Sequence, residues 1–312
     1  MRGFVLSSFD APPGLRDDLP APTPGDKEAL VRVRASSVNA ADAAIVAGML
    51  QGMFEHEFPV VLGRDYAGAV EQIGSGVTSY SVGDEVFGFL LHANPAVHDG
   101  SWAEVIVVPE DNFVAPAPSG VDVSMAGAAP LVGITAMTAL DALELSSGDA
   151  VLIVGATGGV GSIAAQLAAD AGATVIAPAL PEDEDYLRRL GVAEIVDRNS
   201  DVATAVRELH PDGVDGLLDL VSYIPEALDV YAAALKPGGR AVSPLGAAGD
   251  GPGRTNVMAV PSPENLQRLA RLLEARTVTI PVQRTYSLED AGEALEAHGT
   301  RHTQGKLGIA IR

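Results

Sequence analysis

The sequence predicts an α/β fold in which a doubly wound parallel sheet follows an antiparallel, barrel-like region. Three observations point there. Residues 27–115 carry short, glycine-bounded segments rich in β-branched residues. From about residue 125, apolar runs alternate with helix-period segments over short connections. In that second region the run VLIVG (151–155) collapses into glycines and then opens into a helical pattern, as a strand–turn–helix unit would.

In chain order, APPGLRDDLPAPTPGD (11–26) reads as a proline-punctuated surface loop. VRVRA (31–35) alternates strictly, AGAVEQIG (67–74) and DEVFGF (84–89) are short strands, and SWAEVIVV (101–108) is a fourth. VLIVG is of the buried parallel type, and the helix after it is expected to place Val160, Ile163, Leu167 and Ala171 on one face, with Gly172 as its stop. TVIA (174–177), EIVD (194–197), VDGLLDLV (214–221) and RAVSPLG (240–246) continue the sheet, and a helix at roughly 224–235 ends in KPGG. Past residue 262, the amphipathic stretches ENLQRLARLLEA and SLEDAGEALEAH precede a last strand, KLGIAI, whose natural neighbour is the barrel. The expected domains are therefore 1–122 with 263–312, and 123–262 between them.

Composition narrows the partners. At 312 residues and 47% apolar content the chain can bury real cores. A net charge of −21 without any basic block repels polyanions, so neither nucleic acid nor an anionic membrane is an expected partner. The absence of cysteine removes disulfides and thiolate ligands and fits a reducing, cytoplasmic setting. MRGFVLSSFDAPPG lacks the apolar core of a signal peptide, and the apolar stretch AGAAPLVGITAMTALDAL is broken by Pro130.

The glycine segment Ala156-Thr157-Gly158-Gly159-Val160-Gly161 reads A-x-G-x-x-G, one substitution from the dinucleotide fingerprint of a Rossmann domain. Gly158 would let the main chain approach a diphosphate, Gly161 would let helix and strand pack closely, and the helix N-terminus would offer N–H groups and a positive dipole end. A tight turn holding nothing is the plainer alternative. A short-chain dehydrogenase would need a Tyr-x-x-x-Lys, which no tyrosine here supplies.

SVNAADAAIVAG (37–48), PVVLGRDYAGAVEQIGSGVTSYSVGDEVFG (59–88), GSWAEVIVV (100–108), APLVGITAMTALD (129–141), the glycine segment, LKPGGRAVS (235–243) and TQGKLGIAI (303–311) occur in an order that resembles the medium-chain dehydrogenase/reductase superfamily. The similarity is to its zinc-free quinone oxidoreductase branch. It implies a GroES-like, β-barrel-type catalytic domain completed by the C-terminal segment, a Rossmann cofactor domain, a nicotinamide in the cleft and a homodimer. Zinc-dependent relatives carry a cysteine where this chain has Asn39 and a histidine where it has Arg64. A guanidinium has no lone pair for a metal, so a zinc of that type is not expected. His298 and His302 read as a solvated loop, because Gly299 and Thr300 separate them.

Without a Lewis acid, the implied chemistry is hydride transfer from NAD(P)H to an electron-poor acceptor, a quinone or an α,β-unsaturated carbonyl. Asn39 is a candidate contact to the nicotinamide or the substrate oxygen, or else a turn-stabilising residue beside Asp42. Arg64 reads as an oxyanion-stabilising cation or as a structural partner of Asp65 or another acid. Thr135 resembles a cofactor-contacting position, or is a buried helix threonine. Lys306 either reaches the cleft or lies on the surface. The resemblance adds the loop residues Ala156, Thr157, Gly158, Gly159, Val160 and Gly161, with Leu245 and Gly246, as cofactor contacts. Arg198 stands where relatives often have a phosphate-contacting tyrosine, with Arg188 and Arg189 nearby. Glu182, Asp183, Glu184 and Asp185 would repel a 2′-phosphate if they faced it, or else form a solvated helix N-terminus; NADPH is the expected cofactor, with NADH possible. Two other readings stay open. One is an enoyl-thioester reductase, although residues 43–58 lack the tyrosine donor of such enzymes. The other is a nucleotide-binding sensor with little turnover. Pocket walls are expected from loops 44–58 and 90–99.

Overall fold

A computed structural model describes residues 1–90, 96–111, 113–300 and 302–312. The chain divides into two compact units, one of Met1–Leu131, Pro261–Ala275 and Val282–Arg312, the other of Val132–Val260 and Arg276–Pro281. The mixed α/β fold pairs a GroES-like unit with a parallel-sheet unit.

The first unit is organised around the strand Glu28–Ser37. Its alternation is the one VRVRA shows: Val31, Val33 and Ala35 are buried while Arg32 and Arg34 face solvent, where they pair across the sheet with Glu71 at 3.0 Å and Glu85 at 2.7 Å. The sheet runs Ala115–Pro116, Glu85–Phe89, Asp65–Ile73, Glu28–Ser37, Lys306–Ala310, Val282–Ser287, and Val105–Pro109 also pairs with Glu28–Ser37. The C-terminal strand is therefore internal, antiparallel to Glu28–Ser37 and parallel to Val282–Ser287. A smaller sheet joins Gly14–Arg16, Gly3–Leu6 and Val60–Val61. The core fills with Phe4, Val31, Tyr66, Trp102, Tyr286 and Ile309.

Two expectations change here. SWAEVIVV is a strand only from Val105; before it, Trp102 is fully buried, its N–H donating to the Leu62 carbonyl and its own carbonyl accepting from Phe4 N–H. His298 is not in a solvated loop but in the last turn of the helix Ala291–Thr300, which the buried row Ala291, Ala294 and Ala297 holds in place. Burial pushes its imidazole pKa down.

The second unit is a six-stranded parallel sheet in the order Glu194–Asp197, Thr174–Ala179, Ala150–Val154, Val214–Asp219, Leu235–Ser243, Arg254–Asn256. Numbered along the chain this is 3-2-1-4-5-6, the doubly wound arrangement whose ligand crevice lies where strand order reverses. Ala150–Val154 is buried throughout, as a central parallel strand must be. The sixth strand, RTN, has no apolar signature and was not expected; KPGG lies inside the fifth strand and does not end a helix.

The helix Gly159–Asp170 stops as expected, with Gly172 left-handed at φ 83°. Its buried face, however, is Gly161, Ser162, Ile163, Ala164, Ala165 and Ala168; Val160 and Leu167 are only half-buried and Ala171 is exposed. The helix start lies so close to the strand that small residues line most of the contact, with Ile163 the one large apolar side chain among them.

Candidate functional site

Because all six strands of the second unit run the same way, their carboxyl ends fall on one edge, which carries Gly155, Arg198, Leu220, Leu245 and Gly246. Gly155 turns the chain at φ 88° and Gly158 caps the helix. A Cβ on Gly161 would stand 2.2 Å from the Gly155 carbonyl oxygen and 2.6 Å from Ala156 Cα, so only glycine permits this approach. On Gly158 a Cβ would meet nothing nearer than Gly155 O at 3.6 Å, which leaves the mouth of the turn open. The first-turn N–H groups there have no acceptor within the helix. This glycine cradle fits a dinucleotide diphosphate.

Of the other expected cofactor contacts, Thr135 is buried on the helix Pro130–Leu143. Gly246 is left-handed at φ 84°, and Leu245 N–H donates to Ser243 Oγ at 3.1 Å. Arg198 is exposed at the end of the strand Glu194–Asp197, on a cavity of about 530 Å³ that Ser200, Thr204, Arg207, Val230 and Tyr231 also line. In the acidic run, Glu182, Glu184 and Asp185 are exposed but Asp183 is fully buried, so the run is not wholly solvated. Arg188 is partly engaged: it donates to the carbonyls of Val192 and Ala193 and to Glu184.

In the first unit Asn39, Arg64 and Lys306 come together in a buried polar network with two acids, Asp42 and Asp65. All five are at most 4% exposed. Asn39 caps the helix Ala40–Val46, and its backbone N–H donates to Asp42 Oδ2 at 2.9 Å. Its side chain turns the other way: Nδ2 donates to Asp65 Oδ2 at 2.8 Å, and Oδ1 accepts from Lys306 Nζ at 2.6 Å. Lys306 also donates to the Val38 carbonyl at 2.6 Å and lies 3.7 Å from Asp65 Oδ2. It is thus neither a surface lysine nor a free head group. Asp65 accepts further from Ser37 Oγ at 2.6 Å and Leu131 N–H at 2.7 Å.

Arg64 pairs with Asp42, not Asp65. Its Nε stands 3.8 Å from Asp42 Oδ1, its Nη2 donates to the Val61 carbonyl at 2.9 Å, and Gly63 N–H donates to the same Asp42 oxygen at 2.9 Å. Burial raises the Asp42 carboxyl pKa to about 6 against the pull of Arg64 and the two N–H groups. Burial likewise lowers Arg64 and Lys306, opposed by Asp42 for the first and by Asp65 and Asp42 for the second. Two acids and two bases leave the network formally neutral.

Sequence reasoning named Asp65 only as a partner for Arg64 and passed over Ser37. The available signal was an aspartate heading the apolar run YAGAV, since a carboxylate in that place needs a buried partner. Among the described residues no group of three or more His, Cys, Asp or Glu is disposed to hold a metal ion, and no helix is long and apolar enough to cross a membrane. Of the loops expected to wall a pocket, 44–58 begins in the helix Ala40–Val46 and contains the strand Glu55–His56; residues 91–95 of the other lie outside the described residues.

A chain that carries both a parallel-sheet unit with a glycine cradle and a GroES-like unit is of the nicotinamide-dependent oxidoreductase class. Residues 25–119 match the alcohol dehydrogenase GroES-like domain and residues 190–307 the zinc-binding dehydrogenase family. The chain belongs to the medium-chain dehydrogenase/reductase superfamily. It is 27% identical to the chloroplast envelope quinone oxidoreductase homolog of Arabidopsis thaliana, over 93% of this chain and 91% of that one. The quinone oxidoreductase structure from Coxiella burnetii superposes with a TM-score of 0.88 at 28% identity, covering 100% of this chain and 99% of that one. A phthioceranic/hydroxyphthioceranic acid synthase of Mycobacterium tuberculosis is 32% identical over 92% of this chain, which spans only 14% of that protein.

Proposed function

We propose that the protein is a zinc-independent reductase that passes a hydride from NADPH, or less readily NADH, to a quinone or an activated α,β-unsaturated carbonyl. The observation that carries this reading is the fate of the two positions that hold metal in zinc-dependent relatives. Asn39 is engaged by Lys306 and Asp65, and the Arg64 guanidinium, with no lone pair to offer, is spent on Asp42 and Val61. Residues that cannot supply a Lewis acid favour an acceptor able to spread negative charge over its own conjugated system.

The amides of residues 159–161 would hold the diphosphate at the Gly158 turn, with Ala156, Thr157, Thr135, Leu245 and Gly246 around the remainder. Exposed Arg198, with three of the four acids of 182–185 turned to solvent and Glu184 drawn to Arg188 at 3.3 Å, supports NADPH. When bound, the reduced nicotinamide supplies the hydride. Asn39 then has one N–H left to orient an acceptor oxygen. The quinone oxidoreductases among the relatives and solved structures support the same acceptor class. We also propose a homodimer, to be checked by sedimentation.

The test is oxidation of NADPH and NADH with panels of quinones, enones and acyl thioesters. Turnover with quinones or enones in metal-chelated buffer is the expected result. Turnover on acyl thioesters alone would replace this reading with enoyl-thioester reduction, which the synthase similarity favours. Nucleotide binding without consumption would point to a sensor.

A further inference from the structure

The side-chain amide of an asparagine can ordinarily present either edge to a ligand, since a half-turn exchanges its carbonyl and its NH2. At Asn39 that exchange is opposed at both ends. Oδ1 lies 2.6 Å from the Lys306 ammonium and Nδ2 lies 2.8 Å from the Asp65 carboxylate. Turning the amide over would set NH2 against a cation and a carbonyl against an anion, converting two charge-assisted bonds into two repulsive contacts. The charges cannot move aside. Lys306 is tied to the Val38 carbonyl, and Asp65 is held by Leu131 N–H on one oxygen and by Ser37 Oγ on the other. The backbone of Asn39 is fixed in turn by Asp42.

We propose that Asp65 and Lys306 are positioning residues that lock the Asn39 amide in one orientation, so that its carbonyl belongs to Lys306 and the hydrogen left on Nδ2 is what a ligand meets. The matching ligand atom is a hydrogen-bond acceptor, the oxygen of a conjugated carbonyl. In this role the lysine makes no substrate contact; its charge polarises the amide that does. The inference rests on the proposed reductase reading for the identity of that oxygen, but the lock itself does not depend on turnover.

Two measurements test it. In protein labelled with ¹⁵N-asparagine, the Asn39 Nδ2 hydrogen that faces Asp65 should exchange at least about 100-fold more slowly than the side-chain amide hydrogens of exposed Asn199, and Lys306→Met and Asp65→Asn should each remove most of that protection. Fast exchange at Asn39 in the unmodified chain overturns the lock even if neither variant folds. In turnover, Asn39→Ala and Lys306→Met should each lower kcat about 10- to 100-fold with little change in KM for the nucleotide, and the double variant should be no slower than Asn39→Ala alone. Additive losses would show that Lys306 acts by some other route and would overturn the positioning role. If the unmodified protein turns over no quinone or enone, the reductase reading fails, while slow exchange at Asn39 still upholds the lock.

Discussion

Gly158 and Gly161 stand three positions apart and should respond oppositely to a single methyl group. At Gly161 the new carbon would lie 2.2 Å from a backbone oxygen, so Gly161→Ala should lower stability by about 1–3 kcal/mol as helix and strand are pushed apart. At Gly158 the nearest atom is 3.6 Å away and φ is −77°, so Gly158→Ala should fold normally. If the proposed diphosphate site is right, it should nonetheless lose dinucleotide affinity, because the methyl group fills the space the diphosphate would take. Thermal melts with titration calorimetry would separate the two effects. Arg64→Met leaves the Asp42 carboxylate buried without its cation and should cost about 3–5 kcal/mol in denaturant unfolding. The sequence singled out Asn39, Arg64 and Lys306 one at a time. What it did not reveal was that Lys306 meets Asn39 across 267 positions, with Asp65 between them, because nothing local encodes that meeting.

Turns and strands also have their own dependence on acidity. Glu110 Oε1 gathers the N–H and hydroxyl groups of both Thr78 and Ser79 at 2.8–3.0 Å, and these bonds hold its carboxyl pKa down at about 2. A pKa below that of the unfolded chain means that the folded form binds its proton later. The contribution is present at neutral pH and fades as pH falls from about 4.5 through about 2. Glu110→Gln should therefore melt earlier at pH 7 and show a flatter acid limb than the parent between those values, followed by circular dichroism. Elements with a strong period were legible: the alternation around VRVRA and the strand–glycine–helix unit appear where the sequence puts them. Others were not. In the helix after the glycine segment only Ile163 of the expected apolar residues is fully buried; the rest of the buried face is glycine, serine and alanine, which a search for large apolar residues passes over. The edge strand Arg254–Asn256 is polar because only its neighbour on one side requires it to pair.

For the molecule as a whole, a net charge of −21 acts as a distributed repulsion that compaction must overcome. Raising sodium chloride from about 0.01 to about 0.3 M shortens the screening length several-fold and should raise the melting temperature. A melting temperature that stays flat or falls would mean that local ion pairs such as Arg34–Glu85 outweigh the global field. The change of texture near residue 125 and the need of KLGIAI for a neighbour are what suggested an interrupted unit around a central one. Which strands that segment would separate was not, since register is set by partners far away in the chain.

That last segment has a further consequence. The strand Lys306–Ala310 fills the gap between Glu28–Ser37 and Val282–Ser287, whereas every strand of the parallel sheet has been made by Asn256. During translation the parallel sheet can mature while the other sheet waits, open-edged, for Lys306–Ala310 to clear the ribosome. A nascent or proteolysed chain cut short of Lys306 would keep its glycine cradle, leave a gap in the first unit's sheet and lack the cation that meets Asn39.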